Sequence, residues 1–320
     1  MEMTQAFDET DLHTLAERMG DEDPAVRRIA VMELADAVDS DAIPLLLQGL
    51  RDRDPHVRAE AARALDEFDG VEKVAALIDA LHDADQAVRE AASETLAETQ
   101  DPAAAPLLLE RLGAAEGFVR AALLRALRGL RVPEAERPAI EAIEDSDPQV
   151  RREAVGVLAY LKAESALLSL MNVAMKDPAT EVRRAAVGAL VFSSSDRVHK
   201  AVLHALKDEH WTVREEAAAA AGKLQLRVAL AGLIEAMQDS YWQVRVKAAT
   251  SLGKLGDSAA VNALGEALSH EIGNLRKEAA AALGEIGDRA ALPFLTVALR
   301  DSDPDVRKLA RWARDRIASA

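Results

Sequence analysis

The recurring chemistry of this 320-residue sequence is an arginine with an aspartate six residues before it. The arginines are Arg27, Arg58, Arg89, Arg120, Arg151, Arg183, Arg214, Arg245, Arg276 and Arg307. The aspartates are Asp21, Asp52, Asp83, Asp145, Asp177, Asp208, Asp239 and Asp301, with Ala114 and His270 at the two remaining places. A planar guanidinium and a carboxylate form charge-assisted, bidentate hydrogen bonds. Repeated along a chain, such groups make either an anion-binding stripe or a structural clamp. An acid accompanies nearly every arginine, so the expectation is a ladder of Asp–Arg bonds tying each turn to its neighbour.

Other reactive groupings are sparse. The seven histidines include His199 and His204, whose spacing of five is poor for chelation from one helix face. Without cysteine there is no disulfide framework, thiolate zinc site or cysteine nucleophile. No phosphate loop, nucleophile elbow or metal-binding helix motif occurs. With 55 acids in the chain, adjacent pairs such as Glu215-Glu216 carry no catalytic signal. The expectation is no catalytic residue, no metal and no cofactor, which leans away from an enzyme.

Aromatic residues point elsewhere. Two of the three tryptophans, Trp211 and Trp242, stand 31 residues apart in DEHWTVREEA and DSYWQVRVKA, preceded by His210 and Tyr241. Other copies of the pattern place Pro, Gly, Gln or Thr there, after a mostly acidic residue. Tryptophan and tyrosine dominate binding hot spots, so these four are candidate partner contacts. Tyr160, Phe192, Lys223 and Lys254, each nine residues after a repeat arginine, extend the candidate strip, together with Lys247. The competing expectation is that each tryptophan packs between neighbouring turns.

The elements that position these residues follow from the same repeat. Successive arginines are 31 residues apart, with one interval of 32. A large apolar residue stands eight before each arginine; Ala stands three after it in nine copies and Leu seven after it in eight. Spacings of three, four and seven predict amphipathic helices. Asp and Pro before the arginine predict a helix start, and Gly256 and Gly287 predict helix ends. Each copy is therefore a helix A, a turn and a helix B. One such pair cannot bury both apolar faces, so the pairs must stack. The reading is a single solenoid over 1–320, with a capping first helix within 1–20 and a capping last helix within 301–320.

The Asp-x-x-x-x-Val-Arg-x-x-Ala-x-x-x-Leu units resemble the HEAT family, and specifically the HEAT-like repeats of phycobilisome bilin lyases, over about residues 9–320. The resemblance implies an all-α fold, a right-handed α-solenoid of about ten two-helix repeats. It implies that the start of helix B lines a concave face, with Trp211 and Trp242 on adjacent repeats, roughly 10 Å apart. It implies a scaffold or adaptor that binds a partner protein. Its other implication is a bilin-lyase-like factor that works with a second subunit and holds a tetrapyrrole, with Lys223, Lys247 and Lys254 facing the propionates. An iron hydroxylase of this repeat class carries several His-Glu metal motifs, but His270-Glu271 is the one such pair here.

Charge narrows the partners. The formal net charge is -16, with -19 over residues 1–150 and +3 over 151–320. That balance disfavours nucleic acid, which is gripped by clustered Lys and Arg, and favours a basic region on a protein partner. The first residues lack the basic and apolar segments of a secretory signal, and no run approaches the length of a membrane span. A cytoplasmic location is expected.

Overall fold

A computed structural model describes residues 9–37 and 40–319. Among them every regular element is a helix. The chain divides into two compact units, 1–163 and 164–320. In the first unit the A helices are α1 (Glu9–Arg18), α3 (Ile43–Gly49), α5 (Val71–Ala80), α7 (Ala105–Leu112) and α9 (Glu136–Ala142). Its B helices are α2 (Pro24–Ala37), α4 (Pro55–Ala64), α6 (Gln86–Ala97), α8 (Gly117–Leu130) and α10 (Pro148–Leu161). The second unit repeats the plan. Its A helices are α11 (Leu167–Lys176), α13 (Val198–Ala205), α15 (Leu230–Ala236), α17 (Val261–Ala267) and α19 (Leu292–Ala298). Its B helices are α12 (Thr180–Leu190), α14 (Trp211–Lys223), α16 (Trp242–Leu255), α18 (Gly273–Ile286) and α20 (Pro304–Ser319). Helices α1 and α20 fall within 1–20 and 301–320, where capping helices were expected; residues 1–8 and Ala320 lie outside the described residues.

Local chemistry sets the boundaries. Asp54 takes an extended backbone and accepts the His56 N–H at 2.8 Å, with Pro55 at the first helical position. Asp85, Asp147 and Asp303 accept the amide two residues on in the same way. Gly256 and Gly287 end α16 and α18 in the left-handed region, at φ 67° and 76°. That conformation suits glycine because it has no Cβ to clash with the carbonyl. Arg131 and Lys162 take it at the ends of α8 and α10, at φ 54° and 52°.

Packing follows the repeat. The apolar residue before the arginine is fully buried at Val57, Val88, Val150, Val182, Val213, Val244 and Val306, and nearly so at Leu275. So is the leucine seven after it, at Leu34, Leu65, Leu96, Leu127, Leu158, Leu190, Leu252 and Leu283. Burying each such side chain contributes about 1.5–3 kcal/mol. Within each unit the B helices pack on one another in series, and each A helix lies on its own B helix. Small residues let the B helices approach. A Cβ on Gly222 would stand 2.9 Å from the Ser251 Cα, and one on Gly253 would stand 2.8 Å from the Ala282 Cα. Hydroxyls staple the same seam: Thr95 donates to the Ala62 carbonyl at 2.9 Å, and Ser251 donates to the Ala218 carbonyl at 2.7 Å.

Candidate partner-binding patch and its supporting ladder

The ladder runs from each arginine to the aspartate 25 residues later, in the next repeat. Nε and Nη2 of Arg27, Arg58, Arg183, Arg214 and Arg276 chelate Asp52, Asp83, Asp208, Asp239 and Asp301 at 2.6–2.9 Å. In each of these arginines Nη1 donates back to the carbonyl six residues earlier, for example Arg214 to Asp208 at 2.8 Å. Each guanidinium therefore closes its own turn and clamps the next one. The arginine bonds hold the carboxyls of Asp83 and Asp301 below the ordinary carboxylate range, against an opposing push from burial. At Asp208 burial is the larger single influence, and the Arg183 bond, the His210 N–H and the Arg183 charge together outweigh it downwards.

Four positions depart from this pattern. Arg120 reaches Asp145 through Nη1 alone, at 2.7 Å, and its Nε is buried without a partner. Arg89 bonds its own turn but meets Ala114 where the others meet Asp. Arg307 bonds the Asp301 and Ser302 carbonyls of its own turn. Arg245 was expected in the ladder, yet its Nε is buried and unpartnered. The next repeat has His270 in place of Asp, and the His270 Nδ1 already accepts the Ile272 N–H. Arg151 and Asp177 both lie in bonded networks, with Arg151 closing its own turn on the Asp145 carbonyl at 2.9 Å.

The aromatic residues of repeats 7 and 8 form a stack. The Trp211 ring lies 5.2 Å from the Tyr241 ring at an interplanar angle of 13°, and His210 stands 6.3 Å from Trp211 at 22°. The Arg214 guanidinium lies 5.9 Å from the centre of Tyr241, so a ladder arginine backs the ring. Trp242, at the first position of α16, is 38% exposed beside Tyr241 at 45%. Trp211 and Trp242 begin the B helices of adjacent repeats, and Tyr241 is the residue that stacks on Trp211. The cause is register: Trp211 begins α14, and Tyr241 is the N-cap residue before α16.

Two caps carry the local energetics. His210 replaces an N-cap aspartate and still serves, its Nδ1 accepting the Thr212 N–H at 3.4 Å and lying 2.8 Å from the Thr212 hydroxyl. Tyr241 makes no side-chain cap bond. Losing an N-cap acceptor costs about 1 kcal/mol, and an aromatic pair contributes about 0.5–1.5 kcal/mol beyond its burial. At this position the chain carries ring surface in place of a helix cap.

Two of the remaining candidates stand at the far ends of the helices that carry the stack. Lys223 ends α14 and Lys254 is in the last turn of α16. Each is twelve residues beyond the tryptophan of its helix, about 18 Å along the axis. Phe192 follows the end of α12 and is 53% exposed. Tyr160 belongs to the first unit, where Arg128 and Arg131 stand 5.8 and 5.2 Å from its ring centre. Lys247 lies five residues into α16 from Trp242. Trp312, the third tryptophan, covers the Gly284 position.

A groove of about 770 Å³ was not foreseen. It opens between α13 and α15, beside the Arg214–Asp239 pair, and is lined by Leu203, Leu206, Gly232 and Ala236. Gly232 was its sequence signal, since the same repeat position holds Leu45, Leu107 and Phe294 elsewhere. In the first unit Lys73 is buried, its Nζ donating to the Leu65 carbonyl at 3.1 Å and to the Phe68 carbonyl. Burial pushes its pKa down, with Asp69 and Asp66 opposing. Lys73 thus ties down the end of α4. Among the described residues no cluster of His, Asp or Glu could hold a metal ion, and no helix is long and apolar enough to cross a membrane.

Paired helices stacked in series within each unit, and cross-linked by Arg–Asp clamps at most of their junctions, define an α-solenoid. The family model of HEAT repeats matches residues 12–86, 71–128, 117–190, 136–222, 167–242 and 230–313, and the chain belongs to the HEAT-repeat family. Solved structures share the fold. The E. coli protein YibA is similar at 20% identity and TM-score 0.56, over 91% of this chain and 96% of that one. Yeast importin-beta (Kap95p) is similar at 16% identity and TM-score 0.62, over 97% of this chain; the chain spans about half of importin-beta, 49%. Kap95p in its complex with Nup1 is similar at 16% identity and TM-score 0.57, over 98% of this chain and 50% of that one. No curated protein sequence matches the chain.

Proposed function

We propose that this protein is a non-catalytic interaction scaffold of the cytoplasm, holding a partner protein against the B-helix starts of repeats 7 and 8. The observation that carries this reading is Tyr241: an N-cap position without its cap bond, occupied by an exposed ring stacked on Trp211 and beside exposed Trp242. Exposed, preorganised aromatic surface is the usual material of an interface anchor. Close packing along the B row of the second unit, with sparser contact along its A row, supports assigning the B side as the concave one. The structural neighbour Kap95p is known in a complex with Nup1, which supports partner binding as the use of this fold. The excess of acids over residues 1–150 supports a partner with a basic region.

The test is capture from native lysate by the purified chain, compared with Trp211→Ala/Tyr241→Ala/Trp242→Ala of matched helicity. A protein retained by the first and lost from the second is the expected result; equal retention by both refutes the patch. Tyr241→Asp is a fold-safe companion, since it restores a cap while removing the ring; its stability should change by less than about 1 kcal/mol. A tetrapyrrole bound in the manner of a bilin lyase would show in the same experiment as visible absorbance on the retained chain.

A further inference from the structure

In the five bidentate pairs a single carboxylate serves three donors. Asp83 receives Arg58 Nε at 2.7 Å, Arg58 Nη2 at 2.8 Å and the Asp85 N–H at 2.8 Å. Asp52, Asp208, Asp239 and Asp301 do the same. At repeat 4 the sequence has Ala114 in that place, while the donors remain. Arg89 keeps the pose of its counterparts, with Nη1 bonded to the Asp83 carbonyl at 2.7 Å and the Ala84 carbonyl at 2.9 Å. Its Nε and Nη2 edge is paired with no carboxylate, because the residue 25 positions on is Ala114. Ala114 is exposed, so the position opens to solvent.

Three neighbouring groups share the deficit. With alanine at 114 the Glu116 N–H lacks the acceptor its equivalents have. The Glu116 side chain makes no cap bond at the start of α8. One repeat on, Arg120 Nε is buried without a partner. Unpaired donors gather at this turn, and a single buried Nε is unpartnered at Arg245 as well.

We propose that the turn of repeat 4 binds a carboxylate from outside the chain, its oxygens taking Arg89 Nε and Nη2 and one of them also the Glu116 N–H. The Arg89 fork is already oriented, and a guanidinium edge matches a planar carboxylate with two parallel bonds. The fragment by which aspartate exceeds alanine is the carboxylate itself, and because Ala114 is exposed the rest of the acid extends into solvent. Asp83 and Glu116 nearby favour a monoanion over a phosphate dianion. The carboxylate is either a free small acid or an acidic side chain, and the same site chemistry serves both.

The experiment is a titration of the ¹⁵N-labelled full chain with acetate and, separately, with the blocked residue N-acetyl-aspartate methylamide. Sodium chloride and sodium phosphate at equal ionic strength are the controls, and Arg89→Lys assigns the Arg89 Nε–H signal by its loss. A saturable shift of the Arg89 Nε–H and Glu116 N–H is expected, with the Arg58 Nε–H unmoved. A response to acetate alone identifies a free acid as the ligand; a response to both extends the site to acidic side chains. Ala114→Asp supplies the carboxylate from the chain itself and should abolish either response while raising the denaturation midpoint. Three results would each overturn the proposal: no saturable shift with either probe, an equal shift with phosphate, or an undiminished acetate response in Ala114→Asp.

Discussion

Asp208 shows what one side chain does in this array: it clamps Arg183 with two bonds of 2.8 and 2.9 Å and accepts the His210 N–H at 2.8 Å. Asp208→Ala leaves the buried Arg183 with only the exposed Glu209 carboxylate, 3.3 Å from its Nη2, and should cost about 2–3 kcal/mol, read as a shift in denaturant midpoint. Lys277–Asp305, at 2.9 Å but in water, is the control, and Asp305→Ala should leave the midpoint unchanged. Acid response follows from the same bonds. The folded carboxyls of Asp83 and Asp301 lie below their ordinary value, so their contribution is complete above about pH 4 and is lost as pH falls through the depressed folded values. Unfolding free energy should therefore fall on acidification below about pH 4, and Asp83→Asn should flatten that limb. The Asp–Arg column was legible in the sequence because both residues recur at one spacing. Its failure at Arg245 was legible only in part: His270 marked the place, but the sequence does not show that its Nδ1 already serves Ile272.

Glycine separates helix propensity from helix packing. In an open helix Gly→Ala gains roughly 1 kcal/mol. Gly222 is on α14 facing α16, where a new Cβ would meet the Ser251 hydroxyl at 2.3 Å and its Cα at 2.9 Å. Gly222→Ala must therefore push two helices apart, an overpacking cost of about 1–3 kcal/mol, and should lower the thermal midpoint. Gly113→Ala, whose nearest neighbour is a carbonyl oxygen at 3.7 Å, should raise stability by about 0.4–1 kcal/mol. Helix phase and most caps were legible because Val, Arg, Ala and Leu hold fixed offsets. Stacking of Trp211 on Tyr241 rather than Trp242 was not, because a one-residue difference across two helix starts depends on side-chain direction. Nor could spacing alone reveal that Lys223 and Lys254 stand a helix length from the tryptophans: a shared repeat position says nothing of the distance to another position.

Across the full chain, charge and repeat number were readable from composition and period, while the partner was not, since the repeat encodes stacking. If the acids of residues 1–150 steer a basic partner, association should slow as salt rises past about 0.1 M, where the screening length is about 10 Å. Dissociation should change little, and stopped-flow mixing across ionic strengths separates the two rates. The most direct measurement is site-specific photo-crosslinking of the full chain, with a photoreactive residue at position 242, at 223 or at 297, and the captured partner from lysate. All three positions are exposed and lie in one unit, at the start of a B helix, the end of a B helix and an A helix respectively. The account predicts a cross-linked partner from position 242 and none from 223 or 297. Cross-links from 297 or 223 with none from 242 would contradict it, and would leave the Trp211–Tyr241 stack as packing alone.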